Sequence, residues 1–147
     1  APPDRTLRSP TLTVTTRARG TFQVTLAPQP ADGYTDGQTL GRLTIDKQFH
    51  GDLDATSRGQ MLTGISGVKG SAGYVAIERV SGTLAGRRGT FVLQHLGTMT
   101  RGAPELLVRV VPDSATDELV GLGGTMTIDA SGGRHAYTFD FTLPAAP

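Results

Sequence analysis

Along the chain, short runs of Val, Ile, Leu, Phe and Thr alternate with polar residues, and each run is cut off by Gly, Pro or Asp. No long segment keeps apolar residues at i, i+3 and i+4, so the pattern predicts strands rather than helices. The predicted strands are Thr11–Thr16, running on through Thr21–Leu26 after a bend at Arg19-Gly20, then Leu40–His50, Asp54–Ile65, Tyr74–Leu84, Thr90–Thr100, Leu106–Val111, Thr125–Ala130 and His135–Leu143. Consecutive antiparallel strands on short connections suit a sandwich or a closed up-and-down barrel, and closure removes exposed edges. With 20 glycines in 147 residues, the chain has the bends that strongly coiled strands need, which favours the barrel. The expected architecture is therefore all-β: one closed, mainly antiparallel eight-stranded barrel over residues 11–143, with extended or disordered tails at 1–10 and 144–147.

Within GYVAIERVSGTLAGRRGTFVLQHLGTM, Gly73 to Met99, two polar residues interrupt strands that otherwise look buried. Glu78 and His95 need partners or a function there, because a carboxylate is rarely buried alone. A turn centred between Arg87 and Arg88 puts Leu84 opposite Phe91, Val80 opposite His95 and Glu78 opposite Gly97. One face then carries Tyr74, Ala76, Glu78, Val80 and Leu84 against Phe91, Leu93, His95, Gly97 and Met99, and holds all the aromatic residues of the hairpin. That face is assigned to the lumen, where Ala76 and Gly97 leave space beside the carboxylate. Glu78 and His95 become diagonal neighbours roughly 7–8 Å apart at Cα, close enough for a direct or water-bridged contact. Burial raises a carboxyl pKa and an adjacent imidazolium lowers it, so the pair suits general acid/base work; a structural hydrogen bond plugging the barrel explains the same residues.

Composition narrows the partners. A net charge of +1 supplies no field for nucleic acid or an anionic membrane, and no apolar run approaches the ~20 residues of a membrane helix. The absence of cysteine removes disulfides, thiolate catalysis and Cys-based zinc sites together. The start, APPDRT, lacks Met and is Pro-rich, which fits either a removed leader or a merely trimmed start and tips the expectation slightly toward an exported, soluble chain. No nucleophile elbow, P-loop, H-E-x-x-H or dinucleotide fingerprint occurs, and Gly121–Gly124 is too short for the last. The chain is accordingly expected to use no cofactor and hold no metal.

Other polar groups carry competing readings. His50, Asp52 and Asp54 share a strand face and have the donor types of a metal site, but solvated alternation accounts for them better. Lys47 and Arg58 read as surface residues. His135 reads as a strand-entry histidine bonded to backbone or water, and Asp140 as exposed. Ser114, Thr116 and their acidic neighbours cap turns or rim the barrel mouth, and the loop PQPADGYTDGQT, with Tyr34, is either a lid or a solvated loop.

The hairpin, together with KQFHGDLDATSRGQML, VVPDSATDELVGLGGTMTI and GGRHAYTFDFTL, resembles an uncharacterised bacterial family of small single-domain proteins of unknown function. The resemblance runs from Arg17 to Leu143 and implies the allene oxide cyclase-like β-barrel, a fold with a lumenal pocket. One departure is DSATDEL, where the family more often shows Gly beside the Ser and Thr. Such barrels include cyclases and dirigent proteins that shape reactive substrates. The resulting expectation is a cofactor-independent isomerase or cyclase acting on a small apolar substrate. Glu78 and His95 would be its acid/base or charge-stabilising pair, with Tyr74, Ala76, Phe91, Leu93, Gly97 and Met99 lining the ligand. The alternatives are a non-catalytic carrier of a small hydrophobic ligand and a filled structural module; self-association into a homo-oligomer stays open.

Overall fold

Inward-pointing apolar residues set the register of every strand, and the last strand shows how. In HAYTFDFT, Tyr137, Phe139 and Phe141 are buried while Thr138, Asp140 and Thr142 alternate outward. In a computed structural model that describes residues 14–145, eight such strands close on themselves in sequence order, each antiparallel to the next. They are β1 (Thr16–Pro28), β2 (Leu40–Gly51), β3 (Leu53–Ile65), β4 (Ala72–Leu84), β5 (Arg87–Thr100), β6 (Ala103–Val110), β7 (Gly123–Asp129) and β8 (His135–Thr142). The closing β1–β8 seam pairs Thr16 with Phe141 through Phe22 with His135. A two-pronged bridge from Arg17 Nε and Nη2 to the Asp140 carboxylate, at 2.8 and 3.1 Å, pins it from outside.

The barrel expected from the sequence is the barrel observed, with three differences. First, β1 runs unbroken through Arg19-Gly20; the part of its predicted start at residues 11–13 and the tails at 1–10 and 146–147 lie outside the described residues. Second, the β4–β5 turn is Ala85-Gly86, not Arg87-Arg88. Both turn residues have positive φ, 49° and 81°, as a two-residue type I′ turn requires. Glu78 therefore faces Leu93, His95 faces Ala76, and Val80 faces Phe91. Third, β6 and β7 are joined only at Val108–Met126 and Arg109–Thr125, so beyond these pairs the two strands part.

The lumen is divided into a filled half and an open half. Leu53, Val80, Leu84, Phe91, Leu93, Val108, Phe139 and Phe141 fill the end nearest the Ala85-Gly86 turn. The β6–β7 connection closes that end: Leu119 and Leu122 are buried in it, and it is laced to β5 by the Thr90 and Val92 amides, which donate to Thr116 Oγ1 and Ser114 Oγ at 3.0 Å each. Ser114 and Thr116 thus belong to the sealed end rather than the mouth. A buried tyrosine secures the same end: Tyr137 Oη accepts the Leu53 amide at 2.9 Å and donates to the His50 carbonyl at 2.8 Å. Outside, Leu62, Val75, Leu96 and Leu107 lie side by side across β3 to β6, all at least 40% exposed. No helix among the described residues is long and apolar enough to cross a membrane.

Candidate functional site

At the boundary between the two halves sits a buried polar layer centred on Glu78, which is 0% exposed. Glu78 hangs from the middle of β4 opposite Gly59 of β3, where a Cβ would collide with the Ile77 carbonyl and the Glu78 backbone; only glycine lets the strands approach there. Lys47 Nζ reaches Glu78 Oε2 at 2.8 Å from β2, His95 Nε2 reaches the same oxygen at 3.0 Å from β5, and Ser57 Oγ donates to Oε1 at 3.2 Å from β3. The Lys47 ammonium also lies 4.7 Å from the Phe22 ring centroid and 5.6 Å from that of Phe49, a cation–π seat that supplements its one carboxylate partner.

Burial pushes the Glu78 carboxyl up, but the His95 hydrogen bond and the charge of Lys47 outweigh it and hold the group below its ordinary value. Glu78 is therefore an anion at neutral pH. An ionised carboxylate only accepts, so His95 Nε2 carries the proton between them. The other ring nitrogen, Nδ1, has no hydrogen-bond partner, and no buried polar side-chain atom among the described residues lacks one; Nδ1 therefore opens on the cavity.

Above this layer side chains do not fill the lumen. A cavity of about 530 Å³ opens at the end opposite the Leu119 closure, and every strand contributes to its wall. Lys47 and His95 form its floor. Val24, Leu26, Ile45, Met61, Ala76, Leu106 and Ile128 form apolar sides, and Tyr74, Asp129, Ser131 and His135 surround them toward the mouth. His135 stacks on Phe22 with centroids 5.0 Å apart, so it belongs to the wall. Burial and the charge of Glu78 push the Tyr74 hydroxyl up, keeping it neutral. Pro104, Leu106 and Ile128 line the cavity on the side where β6 and β7 are no longer ladder-paired.

The structure sorts the sequence candidates into different places. Glu78 and His95 meet, as diagonal neighbours, but Glu78 lies beneath the floor and does not line the cavity. Tyr74 and Ala76 line it. Phe91 and Leu93 are in the filled half. Gly97 is covered by the Tyr74 ring, which occupies the space a side chain would need. Met99 is 44% exposed and lies in a shallow groove at the rim, with Ala72 and Thr39.

The reading of Lys47 as a surface residue is wrong: it is 9% exposed and points inward between Ile45 and Phe49. Its signal was present in IDKQF, where Lys47 holds the apolar parity of the strand. Ser57, following Leu53 and Ala55 at the same parity, was missed in the same way.

The remaining polar candidates make local contacts. Asp52 Oδ2 accepts the Arg19 amide at 2.9 Å, His50 is exposed, and no group of three metal-ligating side chains occurs among the described residues. Asp32 and Asp36 cap turns within the 29–39 loop, and Tyr34, 88% exposed, faces solvent rather than the cavity.

Fold and site define a class: a small antiparallel eight-stranded barrel, half packed and half hollow, with an ion-paired floor. Residues 18–141 match the family model of a protein of unknown function, DUF3224, and the chain belongs to that family. It is also similar to a protein of unknown function from the same family, from Shewanella oneidensis MR-1, whose crystal structure shares 49% sequence identity and a TM-score of 0.84. That likeness covers 90% of this chain and all of the other. No curated protein matches the chain.

Proposed function

We propose that the barrel binds a small, mainly apolar molecule in its open half, with the polar end of that molecule against Lys47 and His95. One observation carries this reading: the cavity of about 530 Å³ has apolar sides and a polar floor, a division of labour typical of ligand pockets of this size. A purely structural barrel gains nothing from leaving such volume unfilled, since interiors are otherwise close-packed.

Acid/base chemistry on the bound molecule is a second reading, favoured by the unpartnered Nδ1 of His95. In it the roles differ from those expected of the sequence. His95 Nδ1 takes or returns the proton, Lys47 stabilises developing negative charge, and Glu78 orients the imidazole from behind, as a carboxylate does for a catalytic histidine. A cofactor-independent isomerisation or cyclisation fits this arrangement.

Native mass spectrometry of the protein purified from its own host tests binding: a co-purifying small molecule that leaves on unfolding is the expected result. Persistent absence of any ligand, joined to failure of small apolar probes to bind, contradicts it. Glu78→Gln then separates the two readings. A carrier of a neutral ligand keeps its affinity, whereas an isomerase loses rate with little change in binding.

A further inference from the structure

We propose that the lumen selects an organic monoanion, an apolar body with one carboxylate-like head, and that His95 takes up one proton from solvent as the head settles on Lys47. This rests on the ligand-binding reading above and names the ligand class. Both Glu78 oxygens already accept protein donors, and the side chain is shut off beneath the floor, so the carboxylate offers the ligand nothing. What the floor presents to the cavity is Lys47, whose ammonium has one of its three protons on Glu78, and His95, whose Nδ1 has no protein partner. Acceptors on a ligand are thus matched by Lys47, and a cationic head would face a like charge.

The charge balance requires the proton. Lys47 and Glu78 cancel, leaving the buried layer neutral when His95 is neutral. An anion arriving in an apolar-walled space is one uncompensated charge, which is costly away from water. Protonating Nδ1 restores neutrality and turns it from an acceptor into a second donor beside Lys47, while Nε2 continues to donate to Glu78. The groups facing His95 are few. Glu78 and Tyr74 of β4 contact it, Lys47 of β2 and Ser57 of β3 bond the same Glu78 carboxylate, and Asp129 of β7 and His135 of β8 line the cavity farther out. From β6 it meets Val108 and the cavity residues Pro104 and Leu106, none of which titrates.

The test uses octanoate, octan-1-ol and octylammonium as probes of one chain length, titrated calorimetrically near pH 6 and near pH 8 in buffers of different ionisation enthalpy. These pH values bracket the range in which imidazoles commonly change charge. Octanoate is expected to bind about tenfold or more tighter than octan-1-ol near pH 6, the ratio of a charge-assisted to a neutral contact. Octanoate binding should be accompanied by uptake of up to one proton somewhere between these two pH values, and its affinity should weaken toward pH 8. Octylammonium should bind weakest. In His95→Gln, which keeps a donor for Glu78, octanoate binding should lose its pH dependence and its proton uptake. In Lys47→Met/Glu78→Gln, which removes both charges together, the preference for octanoate should vanish while octan-1-ol still binds.

Octan-1-ol binding as tightly as octanoate, or octanoate binding to the wild type without proton uptake at either pH, overturns the monoanion proposal and leaves the pocket reading standing. Failure of all three probes overturns both.

Discussion

Replacing Lys47 by Met perturbs the buried layer at its most consequential point. The substitution keeps the stem's volume and its seat against Phe22 and Phe49, but leaves the Glu78 anion, 0% exposed, without its full positive partner. Breaking one side of a buried ion pair costs about 3–5 kcal/mol in general. Here His95 and Ser57 still donate to the carboxylate, so the lower end, about 3 kcal/mol, is expected. With a urea dependence of about 2 kcal/mol/M, that lowers the unfolding midpoint by roughly 1.5 M. Lys47→Met/Glu78→Gln, which removes the charges together, should lie within about 1–2 kcal/mol of the wild type.

The pH dependence supplies a second signature. Wild-type Glu78 titrates below its unfolded value of about 4.3, so its contribution is present above that value and lost as the pH falls through the folded titration. Without Lys47, burial is opposed by less and the folded titration moves up. The penalty of the single substitution should therefore be largest at neutral pH and shrink in mild acid. Urea melts of the three proteins at neutral and mildly acid pH measure this. A single variant within about 1 kcal/mol of the wild type, with a parallel pH profile, would show that Lys47 is not what holds Glu78 in its charged form.

Tyr137→Phe strands the Leu53 amide and the His50 carbonyl at the sealed end, and thermal unfolding should show a loss of about 1–3 kcal/mol; an unchanged midpoint contradicts the role assigned to the hydroxyl. Gly97→Ala forces the Tyr74 ring off its seat, so stability should fall by about 1–3 kcal/mol and apolar probes should bind less well; unaltered values for both would show that the ring moves freely. Hydrogen exchange should find the amides of β6 that point toward β7, within residues 103–107, far less protected than those of the long β3–β4 ladder, and uniform protection would mean that the two strands do not part.

The barrel was readable because period-two alternation and turn residues mark strands independently of their neighbours, and eight of them leave few ways to hide their edges. The inward face of the β4–β5 hairpin was also readable, although Val75, Ile77 and Leu96 make its outer face as apolar as the inner one. The aromatic residues decided it. Misplacing the turn by two residues did no harm to that assignment: the correct and assumed registers have the same parity, so Glu78 and His95 stay on one face and remain diagonal neighbours. What could not be read was depth. Alternation says which way a side chain points, not how far along the lumen the packing stops, so Phe91 and Leu93 looked equivalent to Tyr74 and Ala76. Lys47 was lost for another reason. A lone cation on an otherwise apolar face is read as exposed until its partner is known, and that partner sits two strands away on β4.

The open half of the barrel, above Lys47 and His95, is the proposed seat of the ligand. Methyl-resolved NMR during titration with octanoate tests it directly. Shifts are expected to concentrate at Ile45, Met61, Leu106 and Ile128 inside the lumen, with Val75, Ile77 and Leu96 on the outer wall unmoved. Shifts confined to the outer three, with the inner four silent, would contradict it.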